Sequence, residues 1–225
     1  MKSAYIVIAA YNEGNRISAV IRDLKKAGQR NIVVVDDCSR DNTFESAKKA
    51  GAIVLRHILN RGQGAALRTG IEYSLEKGAD YIVTFDADGQ HRTEDLNAMM
   101  APVINGEVDI TVGSRFLEKT EVPLARKILL KGSVFIIWLF YGIKMTDAHN
   151  GFRVLSRKAA EKIEITQDRM AHASEIIGEI KRKKLRYKEV PVVIRYSEET
   201  LRKGHGNIFQ AFKVLWNMVM EKLMR

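Results

Sequence analysis

The sequence predicts an α/β fold with a mostly parallel central sheet flanked by helices. Three observations lead there. Short, β-branched runs alternate with segments of helical spacing through the first half of the chain. Several of these runs stop abruptly at acidic or polar residues, as Tyr81–Phe85 stops at Asp86. In open parallel sheets, ligands bind beyond the carboxyl ends of the strands, which is where such residues would gather.

Each element has its own signal. Ala4–Ala10 is a β-branched run and reads as a first strand, followed by helical spacing over Arg16–Ala27. Ile32–Val35 is a second strand, ending at Asp36 and Asp37, and Thr43–Ala50 a second helix. Ile53–Leu55 is a short third strand. Gly64–Lys77 is a helix opened by Gly62-Gln-Gly64, and Tyr81–Phe85 a fourth strand. Asp95–Ile104 is a helix and Ile110–Val112 a fifth strand, after which comes Gly113-Ser-Arg115.

The second half reads differently. Ile128–Ile143 is strongly apolar, but its charge-free part, Gly132–Ile143, covers only twelve residues. A membrane span needs about 20. The segment is either a buried helix or one that lies in a membrane surface. Asn207–Met224 places Phe209, Phe212, Leu215, Trp216, Val219 and Leu223 at helical spacing, which suits core packing or an interfacial helix with Lys213, Lys222 and Arg225 toward headgroups.

Size and composition set bounds. A chain of 225 residues suits a single domain spanning 1–225. It would bury about 70% of its unfolded surface. One cysteine, Cys38, excludes an internal disulfide and a thiolate metal cluster. The apolar run Tyr5–Ala10 is too short for a signal peptide, so a cytoplasmic location is expected. The net charge of +10 asks for an anionic partner. Most of the surplus lies after Val112, with Lys181-Arg-Lys-Lys184 and Arg186 the densest group. That group is either a solvated helix end or part of an anion-binding face. No nucleic-acid motif or aromatic-interleaved basic stretch accompanies it, so no nucleic-acid partner is expected.

The most specific local signal is Asp86-Ala-Asp-Gly-Gln-His91. Neighbouring carboxylates at a strand end are costly unless a cation is near. If the backbone stays extended through Ala87, Asp86 and Asp88 point to the same side. Hard oxygen ligands favour Mg²⁺ or Mn²⁺, with substrate phosphates and water completing the shell. A solvated Asp-x-Asp-Gly turn is the plain alternative. An EF-hand loop is excluded, because His91 and Asn97 stand where it needs glycine and glutamate. A dinucleotide fingerprint is excluded at Gly62-Gln-Gly64, where Leu67 replaces the third glycine, and no segment matches a Walker A loop. Gly62 and Gly64 still permit close backbone approach at a helix start that favours an anion, or simply a turn.

Seven segments in order carry a resemblance. They are Ala10-Tyr-Asn-Glu13, Val35-Asp-Asp-Cys-Ser-Arg-Asp-Asn-Thr43, Asn60-Arg-Gly-Gln-Gly-Ala-Ala66, Asp86–His91, Gly113-Ser-Arg115, Asp147-Ala-His-Asn-Gly-Phe-Arg153 and Glu189-Val-Pro191. Together they make the chain resemble the inverting family 2 glycosyltransferases of GT-A type, a Rossmann-like nucleotide-diphospho-sugar transferase fold. The likeness is greatest to the branch of dolichyl-phosphate mannose synthase and other polyprenyl-phosphate glycosyltransferases, and it runs from Ile8 to about Gly206.

The resemblance implies roles. Residues 1–115 would form the nucleotide-sugar half and 116–225 the acceptor half. Ala10, Tyr11, Glu13, Asp37, Gly64, Asp86 and Ala87 would line a UDP- or GDP-linked donor. Asp88 and Gln90 would ligate Mg²⁺ or Mn²⁺ at the diphosphate. Asp147, Arg115 and Arg153 would belong to the catalytic and acceptor side, and Glu175 matches a family glutamate without a definite role. The acceptor implied is a polyprenyl phosphate, with peripheral contact at the inner face of a membrane. Arg126, Lys127, Lys131 and Arg202-Lys203 are candidate holders of its phosphate or ordinary surface charge. The chain departs from many relatives at Gln63, where they carry lysine. It departs again at Thr200-Leu-Arg-Lys-Gly-His-Gly206, where they carry a Gly-x-Ser-Lys element. The C-terminal membrane helices common in that branch are not matched.

The residue types suit the chemistry. Negative charge grows on a departing nucleoside diphosphate, and a divalent metal with arginines stabilises it. A hydroxyl acceptor would need a general base, for which Asp147 is the candidate. A lipid phosphate is already an anionic nucleophile. Two enzyme alternatives stand beside the main reading: transfer to a hydroxyl on a glycan or lipid, and a sugar nucleotidyltransferase. The latter needs a basic, glycine-rich loop after the first strand, where Tyr11-Asn-Glu13 stands instead.

Overall fold

Valine and isoleucine in unbroken runs favour strands buried on both faces, and β1 and β2 are such strands. β1 (Ala4–Ala10) buries Ile6, Val7 and Ile8 completely, and β2 (Asn31–Asp36) does the same with Val33, Val34 and Val35. In this computed structural model, residues 2–117 and 124–195 are described. The expected helix over Asn207–Met224, the loop Thr200–Gly206 with Arg202-Lys203, and the side chain of Arg126 lie outside the described residues.

Among the described residues, seven strands form one sheet in the order β3-β2-β1-β4-β6-β5-β7. The others are β3 (Ile53–Arg56), β4 (Tyr81–Thr84), β5 (Ile110–Ser114), β6 (Arg153–Ser156) and β7 (Tyr187–Pro191). β1 pairs in parallel with β2 and β4, β2 with β3, and β5 with β7. The mostly parallel sheet is thus as the sequence predicts. β6 is the exception, antiparallel to both of its neighbours, β4 and β5. It enters the sheet between them from the ligand edge, so its first residue, Arg153, sits opposite Thr84 and Val112.

The helices cover both faces. α1 (Ile17–Lys26) buries Ile17, Val20, Ile21 and Leu24, one stripe at helical spacing. α2 (Thr43–Lys49) follows β2, and α4 (Leu96–Ile104) precedes β5. α3 (Gln63–Glu76) lays small residues against the sheet: Gly64, Ala65, Ala66 and Gly70 are all buried. α6 (Arg157–Lys162) is short and capped by the Ser156 hydroxyl, and α7 (His172–Arg182) precedes β7. The apolar run of the second half forms α5 (Leu124–Tyr141). The helix has a buried and an exposed side. Ile137 is buried in the core, while Phe135, Trp138 and Leu139 are exposed. Among the described residues, no helix is long and apolar enough to cross a membrane.

α3 is held so close to the sheet that a Cβ on Gly70 would lie 2.3 Å from Val7 Cγ1 and 3.2 Å from Val35 Cγ2. Gly70→Ala gains about 1 kcal/mol of helix propensity. Overpacking at a buried contact costs more, so the substitution should lower stability by roughly 1–2 kcal/mol net. Urea unfolding measures this; an unchanged or raised midpoint would contradict the close packing.

Candidate active site

The site grows from the loops at the carboxyl ends of β1, β2 and β4. After β1, the loop 11–14 is tied to the loop after β2. Asn12 N–H donates to Ser39 Oγ at 2.9 Å, Glu13 N–H to Thr43 Oγ1 at 2.8 Å, and Gly14 N–H to Asp41 Oδ2 at 3.0 Å. Asn12 takes a left-handed conformation, φ 56°. Asparagine tolerates this region better than most residues. Its side-chain oxygen accepts from Arg40 N–H at 2.9 Å. These ties leave Tyr11 exposed at the rim and Glu13 on the wall.

Asp37 fixes the next wall. Its carboxylate accepts from Arg61 N–H at 3.0 Å and Gly62 N–H at 2.6 Å and bonds His57 Nδ1 at 2.7 Å. Gly62 turns here with φ 111°, a conformation that suits glycine. From the other side, Ala65 N–H donates to Asp168 O, and a Cβ on Gly64 would meet Gln167 O at 2.0 Å. The start of α3 is therefore clamped between Asp37 and the 167–168 backbone. In turn, Glu175 holds that segment by accepting from the N–H groups of Thr166 and Gln167, both at 3.0 Å.

The backbone does not stay extended through Ala87. β4 ends at Thr84, and residues 87–89 turn, with Gly89 at φ 76°. Asp88 stabilises the turn by accepting from Gln90 N–H at 2.9 Å and from the Gln90 side-chain amide. Asp86 bonds His91 Nε2 at 2.8 Å and accepts from Gln63 Nε2 at 3.3 Å. The backbone of Gly151 passes so close that a Cβ there would lie 2.4 Å from Asp86 Oδ1.

These elements bound a cleft of about 720 Å³. Ten of the twelve expected site residues line it: Ala10, Tyr11, Glu13, Asp37, Asp86, Ala87, Asp88, Gln90, Arg115 and Arg153. Gly64 and Asp147 do not line it. Gly64 is taken up by packing against Gln167 and His172. Asp147 is fully buried. Its Oδ2 accepts from Arg115 Nε at 2.5 Å and Arg115 N–H at 3.3 Å, and its Oδ1 from His149 N–H at 3.3 Å.

The cleft brings carboxylates and guanidiniums together. Arg153 is 1% exposed, and its guanidinium nitrogens have no hydrogen-bond partner among the described residues. Burial lowers it to about 10, against the pull of Asp86 and Asp147. Burial would raise the Asp86 carboxyl, but His91 and then Arg153 outweigh it and hold Asp86 below the usual range. Asp88 is pushed up, first by burial and then by the neighbouring Asp86 carboxylate. Burial lowers His149, and burial with Arg153 brings His172 to about 4, so both imidazoles are neutral at pH 7.

The donor set at Asp88 fits a hard divalent ion. Its carboxylate is crowded by that of Asp86, and a cation would relieve this. Turning the Gln90 amide over would bring its oxygen, a second hard ligand, beside the carboxylate. No group of three or more His, Cys, Asp or Glu converges as a closed cage among the described residues. An open site of this kind leaves positions for phosphate oxygens, as Mg²⁺ prefers.

The cleft also recruits residues that sequence reasoning had not assigned. His91 and His149 lie within segments that stood out in the sequence and His172 does not, and isolated histidines give no sign of where their rings face. Arg169 and Met170 reach the cleft from the segment before α7, which carries no motif.

Known proteins share this fold and part of this sequence. The family model described as glycosyl transferase family 2 matches residues 5–164. An uncharacterized protein of Methanocaldococcus jannaschii is 42% identical over 97% of this chain and 92% of its own length. A UDP-N-acetylglucosamine–dolichyl-phosphate N-acetylglucosaminyltransferase of Methanococcus voltae is 33% identical over 99% of this chain and 97% of its own. Among solved structures, glucosyl-3-phosphoglycerate synthase from Mycobacterium tuberculosis with UDP superposes with a TM-score of 0.75 over 96% of this chain and 80% of its own, at 17% identity. The same enzyme with Mn²⁺, UDP and its product gives 0.70 over 96% of this chain and 80% of its own, at 17% identity. At that identity the likeness establishes the fold alone.

His172 makes stability depend on pH. Its ordinary value of 6.5 is depressed to about 4 in the folded chain. The native state therefore binds fewer protons than the unfolded state, and its stability falls as pH drops from about 6.5 toward 4. The loss from this one group should be on the order of 3 kcal/mol. His172→Gln should lose distinctly less stability than the parent between pH 7 and 4.5 in urea unfolding. Parallel losses would contradict a buried neutral imidazole.

Proposed function

Because the chain belongs to glycosyl transferase family 2, we propose that this glycosyltransferase moves a sugar from a nucleoside-diphosphate donor to a polyprenyl-phosphate acceptor with inversion at the sugar carbon. The observation that carries the reading is the pairing across the cleft of unlike needs. Asp88 is a carboxylate crowded by Asp86, and Arg153 is a buried cation with no hydrogen-bond acceptor among the described residues. A metal-bound diphosphate satisfies both. Mg²⁺ or Mn²⁺, held by Asp88 with Gln90, would neutralise part of the charge on the departing diphosphate.

The chain's own groups supply the rest. Glu13, Ala10 and the wall built by Asp37 suit the nucleoside, and Tyr11 at the rim offers a ring to it. Arg153 is aimed at growing phosphate charge and needs no reorganisation to meet it. Arg115, held by Asp147, brings a second guanidinium to the cleft for the acceptor phosphate. Asp147 is then a positioning residue and not the base, since its carboxylate faces Arg115 and His149 N–H. A phosphate nucleophile needs no base. The named activity of the Methanococcus voltae relative, transfer to dolichyl phosphate, supports this acceptor class.

Peripheral membrane contact belongs to the same reading. Phe135, Trp138 and Leu139 are exposed on α5, beside the exposed Lys131 and Lys144. Ser133 of that helix reaches His149 on the cleft wall, Oγ to Nδ1 3.1 Å. Aromatic and aliphatic groups flanked by lysines suit an anionic bilayer surface. Phe135→Ser/Trp138→Ser should lower binding to vesicles with anionic lipid while leaving donor binding intact. Equal vesicle binding by this variant and the parent would exclude α5 as the contact.

A second reading, transfer to a hydroxyl, is favoured by His149. Its imidazole lines the cleft, is kept neutral by burial and has the chemistry of a general base.

The two readings separate in one assay series. Thermal stabilisation by UDP- and GDP-sugars with Mn²⁺ identifies the donor. Transfer to polyprenyl phosphate is then compared with transfer to polyprenol and soluble glycans. We expect transfer to the phosphate alone and loss of activity with EDTA. Asp88→Asn and Arg153→Gln should each lower kcat by roughly 100-fold or more. Activity indifferent to EDTA and to Asp88→Asn would remove the metal from the proposal, and transfer to polyprenol would favour the hydroxyl reading.

A further inference from the structure

Residues 142–152 join α5 to β6 without regular structure, yet they carry His149 to the cleft wall and Asp147 to Arg115 behind it. Such a stretch needs something to hold it. Glu189, half-buried on β7, supplies four contacts. Its carboxylate accepts from Thr146 N–H at 2.8 and 2.9 Å, from the Thr146 hydroxyl at 2.8 Å and from Asp147 N–H at 3.0 Å. The next links run inward. Thr146 Oγ1 bonds Ser114 Oγ at 2.6 Å, and Ser114 Oγ accepts from Phe116 N–H at 3.2 Å, one residue past Arg115. Asp147 Oδ2 accepts from Arg115 Nε and N–H.

We propose that Glu189 is a positioning residue that sets Arg115 through Thr146 and Asp147. The inference rests on the reading that Arg115 meets a phosphate in the cleft. Glu189 lies opposite Val112 in the β5–β7 register, three residues before Arg115. It grips the far side of the loop that grips Arg115. Arg115 is therefore fixed from both ends, by its own strand and by the loop that the neighbouring strand anchors. A carboxylate is required because every group it meets is a donor. Oε1 meets all three donors and Oε2 meets Thr146 N–H again, so an amide of the same length would set an N–H₂ against Thr146 N–H. A shorter carboxylate cannot reach both residues.

The test is a double-mutant cycle on the full chain, with transfer to polyprenyl phosphate as the readout and thermal unfolding as the check on folding. Glu189→Gln should lower kcat/KM for the acceptor roughly 10- to 100-fold, as expected for a displaced phosphate-binding group. Donor binding, measured by thermal shift, should stay within about twofold of the parent because the effect travels through Arg115 alone. In an Arg115→Ala background, Glu189→Gln should cost nothing further, since coupled residues act as one. Losses that multiply in the double variant, or parental activity in Glu189→Gln, would overturn the proposal. If Glu189→Gln does not fold, Glu189→Asp is carried through the same cycle, and failure of both to fold would make Glu189 a structural residue only. Parental activity in Arg115→Ala alone would instead overturn the role of Arg115 in the cleft.

Discussion

Arg153 sets the terms for the whole cleft. A guanidinium with 1% exposure and no hydrogen-bond partner among the described residues is expensive, by several kcal/mol even after relaxation. Asp86 and Asp147 offset part of this through their charge. Other groups adjust to the same field. Burial first, and then the charge of Arg153, lowers both His149 and His172. Asp86 stays ionised with the help of His91 and Arg153. Asp88 is pushed the other way, first by burial and then by the Asp86 carboxylate, which outweigh Gln90 N–H and His91. The result is a gradient across one cleft, from a cation that wants an anion to a carboxylate that wants a cation.

The topology explains how a charge comes to be buried there. β6 runs against its neighbours, so its amino end lies at the edge where β4 and β5 end. Its first residue is Arg153, and the chain just before it must cross the carboxylate of Asp86. Only Gly151 permits that crossing, because any Cβ would collide with both carboxylate oxygens. Thr84 fastens the crossing by donating its hydroxyl to Gly151 O at 2.6 Å. Phe152, buried between Phe85 and His91 in edge-to-face and tilted contacts, closes the space behind. One antiparallel strand thus turns an acidic strand end into a mixed-charge site.

Much of this was legible in the sequence, for reasons that can be named. The first five strands are short apolar runs separated by helices whose apolar stripes are regular, and α1 buries the residues its spacing selects. The acidic strand ends were legible because carboxylates after apolar runs have few explanations other than a site. β6 was not: its strand has only Val154 and Leu155 as apolar signal, and its direction depends on partners far along the chain. Nor was the orientation of Asp147. Sequence gives its chemistry but not that its oxygens are already taken by Arg115 and His149 N–H. Gly64 stood out as a helix-start glycine, yet its reason is a backbone about a hundred residues away, at Gln167. The Asp86-Ala-Asp88 spacing suggested an extended pair, and Gly89 turned it into a loop.

The placement of Asp147 bears on the choice of nucleophile. A general base must have a free lone pair within reach of the proton it removes. The Asp147 carboxylate is directed at donors on its own chain and lies outside the cleft lining. Its energetic role is to keep Arg115 in place, since arginine carries substantial rotamer entropy that must be lost before binding. A site that spends its buried aspartate on fixing an arginine is arranged for an anion. Two guanidiniums reach the cleft: Arg115, fixed by Asp147, and Arg153, which has no hydrogen-bond partner among the described residues. In the proposed reading the acceptor brings its own negative charge for Arg115 to meet, which removes the need for the base that Asp147 does not offer.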